Sequence, residues 1–184
     1  DEVRRKFFGT LYNTYGFFAL YANVDGFTYA EAEIPVNERS EIDRWIISEL
    51  NTLVKVVDEA FADYEPTKAA RAISEFVQEN LSNWYVRLCR RRFWKGEYAT
   101  DKIAAYQTLY TCLLTISKLG APIAPFFMDK LYRDLTLATQ SEKFDSVHLA
   151  EFPKYVGNFV DKLLESKMQK AQTISSLVLS LRKK

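Results

Sequence analysis

The chain has 184 residues and a formal charge of +1, with 48% hydrophobic residues, enough for one domain with a real core. Only 6 glycines and 5 prolines argue against a β-rich sandwich with many tight turns, and 2 cysteines cannot build a disulfide framework. No apolar run is long enough to span a bilayer and no signal-peptide pattern opens the chain, so the expected compartment is the cytoplasm, with no membrane partner.

The elements read as helices throughout. Residues 2–24 place Val3, Phe7, Leu11, Phe17 or Phe18, and Tyr21 at three- and four-residue steps. Gly9 and Gly16 weaken this helix, and it starts without a cap, which suggests a domain cut from a longer protein. Residues 25–39 are irregular, with Asp25-Gly26 and Pro35 as breakers. Ser40-Glu41-Ile42-Asp43 fits a capping-box-like start in which the serine hydroxyl accepts an orphan backbone N–H. The helix after it runs to about Phe61 on a stripe of Ile42, Ile46, Leu50, Leu53, Val57 and Phe61.

Pro66 suits the first turn of a long third helix over residues 66–92, whose apolar face takes Ala69, Ile73, Phe76, Val77, Leu81, Trp84 and Leu88. Arg91 falls close to that stripe, so either the helix has outrun its core there or Arg91 is paired in a semi-buried network. A connection holding Gly96 leads to a fourth helix capped by Thr100 or Asp101, carrying Ile103, Tyr106, Tyr110, Leu113, Leu114, Ser117 and Leu119. The run Gly120-Ala121-Pro122-Ile123-Ala124-Pro125 breaks it. A fifth helix follows through Phe126, Met128, Leu131, Tyr132 and Leu135. Residues 139–155 are polar and irregular, and a last helix from about 156 carries Phe159, Leu163, Leu164, Met168, Ala171, Ile174, Val178 and Leu181 on one side. The fold class is all-α, a bundle of five to six helices with short loops. Aromatics at 15% point to aromatic packing between helices, and Cys89 and Cys112, both at apolar helix positions, read as buried free thiols.

Residues 83–95 carry the chemistry. Arg87, Arg90, Arg91, Arg92 and Lys95 occur with no acid between Glu79 and Glu97, and Trp84, Phe93 and Trp94 are interleaved. Arginine forks pair with phosphate oxygens and aromatic faces stack on unpaired bases, so the run points to RNA. The competing reading is a solvated helix end whose cations satisfy the last carbonyls. Within the run, Trp94 lies past the core and is the better stacking candidate, while Trp84 and Trp45 read as core. His148, the only histidine, has no metal spacing with the cysteines and no nucleophile beside it, and it reads as satisfying a backbone group in a packed loop. Glu31 and Glu33 alternate with alanines in a polar loop and do not form a catalytic pair.

A family resemblance rests on several blocks in order. Asn83-Trp84-Tyr85-Val86-Arg87 with Arg90-Arg91-Arg92-Phe93-Trp94 resembles the signature helix in the anticodon-binding domain of the isoleucyl-tRNA synthetases, a class I family. Leu11-Tyr12-Asn13-Thr14-Tyr15-Gly16-Phe17-Phe18 looks like that domain's first helix, and Asp43-Arg44-Trp45-Ile46 like the start of its second. Ala121-Pro122-Ile123-Ala124-Pro125-Phe126 is similar to a breaker before a later helix. Ser146-Val147-His148-Leu149, followed by Phe152-Pro153, is similar to the loop after the bundle, and Ser176 through Lys184 to the helix that leads to a C-terminal region. The sibling enzymes for valine and leucine share several of these blocks, so the equivalent domain of either is an alternative. The valine enzymes tend to an acidic residue soon after the Trp-Tyr pair, where this chain has Arg87, which favours isoleucine over valine.

The resemblance implies an entry helix and loop over 1–39, arriving from a catalytic core outside the sequence. A central bundle over 40–138 and a loop with a C-terminal helix over 139–184 would follow. It implies that isoleucine tRNA, through its anticodon stem-loop, is the partner, alongside the parent's own catalytic core and C-terminal region, and that Arg87, Arg90, Arg91, Arg92, Trp94 and Lys95 are the RNA-binding residues. The parent would be an ATP-dependent ligase using magnesium, whereas this chain should need no cofactor and be inactive alone. The family's nucleotide-binding signatures His-Ile-Gly-His and Lys-Met-Ser-Lys-Ser are missing, and Lys167-Met168-Gln169-Lys170 lacks the serine and sits in an amphipathic helix. A rival reading from another class is a helical scaffold whose basic cluster meets an acidic protein partner.

Overall fold

A computed structural model describes residues 2–95 and 97–182. Gly96 and the terminal Lys183-Lys184 lie outside the described residues. Those described form an all-α bundle with no strand.

A π-helical turn, Arg4–Phe8, runs into α1, Gly9–Asp25. Helix α1 stops where Gly26 takes a left-handed φ of 71° and its N–H returns to the Ala22 carbonyl, a geometry that only glycine enters without steric cost. Helix α2 is Glu41–Ala62. The next rod is continuous but changes pitch, with α3 over Pro66–Glu75, a π-helical stretch over Phe76–Val86 and α4 over Arg87–Trp94. Helices α5, Thr100–Gly120, α6, Pro125–Thr139, and α7, Lys162–Arg182, complete the bundle.

The π-helical stretch explains why the expected apolar stripe of the third helix is displaced. The most deeply buried positions, Ala69, Ile73, Val77, Leu81, Tyr85, Cys89 and Phe93, recur every four residues, with Phe76 and Val86 buried beside them. In a regular α-helix of about 3.6 residues per turn, a four-residue repeat drifts by roughly 40° at every step and would leave the core. The wider π turns rotate less per residue and cancel that drift. Leu88, expected on the apolar face, is therefore 54% exposed, and Trp84 is only partly buried against the core. Tyr85, which the 3.6-residue stripe passes over, is fully buried.

Helix α5 is the axis of the bundle. Leu109, Leu113 and Ile116 show no exposed surface, and they meet Trp45, Ile46 and Val57 of α2, Leu11 and Phe18 of α1, and Tyr132 of α6 in one core. Each such aliphatic side chain contributes about 1.5–3 kcal/mol on removal from water. The aromatic content does pack between helices: Phe93 sits edge-on to Phe17 and Tyr106 at centroid distances of 5.2 and 5.1 Å, and Phe27 stacks on Tyr106 at 4.9 Å. Helix α5 also holds the loop before α2. Gln107 accepts the Ile34 N–H and donates to the Ala32 carbonyl, while buried Arg39 donates to Thr108 and to the Ile34 carbonyl.

Three local expectations change. Ser40 does not accept a backbone N–H; its hydroxyl donates to the Asp43 carboxylate at 2.6 Å, because Asp43 is drawn inward by stronger partners. Phe126 points outward and is 90% exposed, since Met128, Leu131, Tyr132 and Leu135 turn the other face of α6 to the core. Helix α7 starts at Lys162 rather than near 156 and buries only Leu164, leaving Leu163, Ile174, Val178 and Leu181 exposed. Its attachment is polar. Glu165 accepts from Ser48 at 2.6 Å and Thr52 at 2.9 Å on α2, and Ser48 accepts the Asp161 N–H.

Candidate nucleic-acid interface

Helix α4 sorts its side chains by angle. With about 100° of rotation per residue, Arg87, Arg90, Arg91 and Trp94 fall within a sector of about 100°, and Cys89 and Phe93 lie on the opposite side. Cys89 and Phe93 are buried, which turns the four-residue sector to solvent. Arg87, Arg90 and Arg91 are exposed, Trp94 is 60% exposed, and Lys95 follows in extended backbone. Among the described residues, the side chains of Arg87, Arg90, Arg91 and Lys95 enter no hydrogen bond or ion pair. The Arg90 guanidinium stands 5.9 Å from the centroid of the Phe17 ring. The expectation that such cations serve the last carbonyls is not realised by their side chains; the Arg91 carbonyl accepts the backbone N–H of Lys95.

Arg92 departs from the set in which the sequence places it. Its guanidinium faces inward and forms a fork on Asp43, with Nη1 to Oδ1 at 2.8 Å and Nη2 to Oδ2 at 2.7 Å. Nε and Nη2 also donate to the Asp101 carboxylate at 2.9 and 2.8 Å, and Nη2 to the Asp101 carbonyl at 2.9 Å. The remaining Nη1 proton has Cys89 Sγ at 3.6 Å. An arginine has five N–H donors, and here every one meets an internal acceptor. Asp43 has no exposed surface and also accepts from Tyr85 at 2.7 Å. Burial opposes the charge on Arg92, but the hydrogen bonds and charge of Asp43, with Asp101, outweigh it and hold the guanidinium protonated far above its ordinary range. The network joins the first turn of α2, the end of α4 and the first turn of α5. Neither Thr100 nor Asp101 caps α5, whose N-cap residue is Ala99; both lie in its first turn, and Asp101 accepts from Arg92 instead.

Regular periodicity points to Arg91 for internal pairing, and the pitch change moves that role to Arg92. The signal for the partner is in the sequence: Asp43 stands in phase with Ile46, Ile47 and Leu50 on the core side of α2. A carboxylate at such a position needs a buried cation.

The other candidates are inert in geometry. Trp45 is buried and donates Nε1–H to Glu49. His148 is exposed and its backbone N–H, not its ring, makes the loop's hydrogen bond, to Ser146 Oγ. Glu31 pairs with the Tyr98 hydroxyl and Glu33 lies 3.8 Å from Arg39, so the two glutamates face different partners. Burial pushes the Cys89 thiol up to about 11, which keeps it from being a thiolate at neutral pH. Lys167-Met168-Gln169-Lys170 lies inside α7, with Met168 packed on the core. Among the described residues, no group of three or more His, Cys, Asp or Glu is placed to hold a metal ion, and no helix is long and apolar enough to cross a membrane.

Residues 43–184 match the family model described as the anticodon-binding domain of tRNA ligase. The chain belongs to that family. Its curated relatives are narrower in kind. This anticodon-binding domain is 66% identical over 184 residues to the isoleucine–tRNA ligase of Bacteroides thetaiotaomicron, covering 100% of this chain and 16% of that protein. It is 65% identical over 182 residues to the isoleucine–tRNA ligase of Cytophaga hutchinsonii, and 47% identical over 187 residues to that of Dehalococcoides mccartyi. The chain thus spans 16–18% of the length of these relatives.

Proposed function

We propose that this domain binds the anticodon stem-loop of isoleucine tRNA on behalf of an isoleucine–tRNA ligase. The observation that carries the reading is the solvent-facing sector of α4, where Arg87, Arg90 and Arg91 lie beside exposed Trp94 with no internal partner among the described residues. Cations so placed are free to take up phosphates, and a half-bare indole is a platform for an unpaired base. Lys95 extends the positive strip past the helix end. Arg92 belongs to the frame beneath this surface and makes no RNA contact.

The domain forms no bond. Binding at the anticodon selects the tRNA and orients its acceptor end toward a catalytic core elsewhere in the parent protein. ATP and magnesium act in that core. No residue of this chain is assigned to either, since the nucleotide-binding signatures are missing and no described carboxylate cluster fits a metal. Translation places the parent in the cytoplasm.

The test is a titration of the domain with isoleucine tRNA and with valine tRNA at two salt concentrations, repeated with Arg87, Arg90 and Arg91 changed to alanine. Binding should favour isoleucine tRNA, fall by orders of magnitude as salt rises, and weaken sharply in the triple variant. Undiminished binding in the triple variant sinks the assignment to α4, and equal binding of the two tRNAs moves discrimination to another part of the ligase.

A further inference from the structure

An apolar cavity of about 880 Å3 lies where three segments meet: the π-helical turn before α1, helix α3, and the break between α5 and α6. That volume lies within the range of about 300–1,000 Å3 typical of small-molecule sites. We propose that it binds an amphipathic monocarboxylate, a fatty-acid-like molecule with an apolar chain and one carboxylate. The site uses none of the α4 surface and stands apart from the RNA reading.

The apolar walls follow from local sequence. Pro125 opens α6 after α5 has ended at Gly120, and the turn between them lays Pro122, Ile123 and Ala124 along the cavity. The N–H groups of Ile123 and Ala124 already return to the Gly120 carbonyl at 3.0 and 2.9 Å, and proline has none. This wall therefore offers a ligand hydrocarbon surface rather than backbone donors. Phe8 forms another wall, held edge-on by Phe7 and Phe127 at centroid distances of 5.0 and 4.9 Å. Ile73 and Met128, both buried, add apolar surface on the core side. Met128 packs so closely there because residue 120 is a glycine: a Cβ at that position would stand 2.5 Å from Met128 Cε.

Charge then selects the head group. Three charged residues border the cavity, Glu2, Lys6 and Arg71. Glu2 and Lys6 pair with each other. Arg71 is exposed, and among the described residues its side chain enters no hydrogen bond or ion pair, not even with Glu75 one turn on. The lining thus carries one uncompensated positive charge. Of the neutral polar groups, Gln78 donates its amide to Ser74, at 2.7 Å to the hydroxyl and 3.2 Å to the carbonyl. Thr67 stands one turn before Arg71 on the same side of α3, and its hydroxyl has no described partner. A guanidinium fork with a hydroxyl beside it matches one carboxylate. A phosphate dianion would need a second free cation, and an ammonium head would meet Arg71 as a like charge.

The experiment titrates the chain by calorimetry with dodecanoate, dodecanol and dodecylammonium, each below its micelle concentration. The three share one apolar chain and differ in the head group. Dodecanoate should bind about fivefold tighter than dodecanol, the upper worth of an exposed ion pair, and dodecylammonium should bind weakest. Arg71→Gln should bring dodecanoate to the level of dodecanol, leave dodecanol unchanged, and keep the Tm, since Arg71 holds nothing in the fold. Ala70, half-buried on α3, also lines the cavity, so Ala70→Trp should fill it and weaken all three ligands together. No binding, equal affinity for the three head groups, or an Arg71→Gln domain that still prefers dodecanoate would each overturn the proposal. So would binding by the domain that is lost in the full-length parent ligase, because another part of that protein would then occupy the cavity.

Discussion

The inner and outer faces of α4 use the same residue type to opposite ends. Arg92, on the inner side with Cys89 and Phe93, commits its whole guanidinium to Asp43 and Asp101. Arg87, Arg90 and Arg91, on the outer side, have no described polar partner and stand in water. A run of arginines is therefore two devices divided by helix phase, a buried joint and a free charged surface. The sharpest way to break this contrast is Arg92→Ala. It leaves Asp43 fully buried without its cation, and breaking such a pair costs about 3–5 kcal/mol. Urea unfolding should show the loss as a lower midpoint, and a change under about 0.5 kcal/mol would mean that the fork does not hold the bundle. Arg92→Lys should recover only part, because an ammonium cannot reproduce the fork on one carboxylate while bridging a second.

A second contrast separates α5 from α7, two helices of 21 residues each. Leu113 of α5 is fully buried and Leu177 of α7 is 60% exposed. Leu113→Ala should cost about 2–5 kcal/mol through reduced burial and a cavity. Leu177→Ala should stay within about 0.5 kcal/mol, the range of surface changes. Equal losses, measured by the same unfolding curves, would mean that α7 is packed more deeply than this arrangement allows.

These contrasts also mark what the residues alone disclose. The six helical rods, the stop at Gly26, the break between Gly120 and Pro125, and the N1 position of Pro66 are legible because each follows from local chemistry. The pitch of the third rod is not. A count at about 3.6 residues per turn misses it, because the π-helical stretch makes the core see every fourth residue, so Leu88 and Tyr85 exchange roles. Partner choice is legible only on one side: a carboxylate in phase with the apolar stripe of α2 announces a buried cation, but which of four neighbouring arginines supplies it depends on that pitch. The exposed apolar side of α7 cannot be foreseen, since its spacing is that of any amphipathic helix and its attachment runs through Glu165, Ser48 and Thr52.

That attachment carries a pH signature. Burial pushes the Glu165 carboxyl up, but hydrogen bonds from Lys162, Ser48 and Thr52 and the charge of Lys162 outweigh it and hold it below its ordinary value of 4.5. A carboxylate whose folded pKa is depressed stabilises the fold above its unfolded pKa, and the contribution drains away as pH falls through the folded value. Stability should thus decline below about pH 4.5, with part of the decline absent in Glu165→Gln. Asp25 and Asp129 are held low in the same way. Helices α1 and α6 also bury apolar side chains in the core, however, whereas α7 buries only Leu164. Far-UV and core-tryptophan signals should therefore separate in that window, α7 loosening before the core. Identical acid profiles for the two proteins would remove Glu165 as the latch.

The smallest effect on folding belongs to the outer arginines, and it is the one that decides what the surface is for. Changing Arg87, Arg90 and Arg91 together to alanine removes three exposed side chains with no described polar partner. The helix loses a favourable interaction of its C-terminal dipole with nearby cations, about 0.3–1 kcal/mol each at low salt, and gains relief from like charges crowded on one sector. The net change in stability should be near zero. RNA affinity should not be: every phosphate left without its arginine lowers the slope of log affinity against log salt by about 0.7–0.9, so the removal of three cations is visible even where residual binding survives. Arg92→Ala should give the reverse pattern, a less stable fold whose folded fraction keeps the full salt slope. A shallower slope in the folded fraction of Arg92→Ala than in the unaltered domain would place phosphate on the inner arginine and undo the division between the two faces.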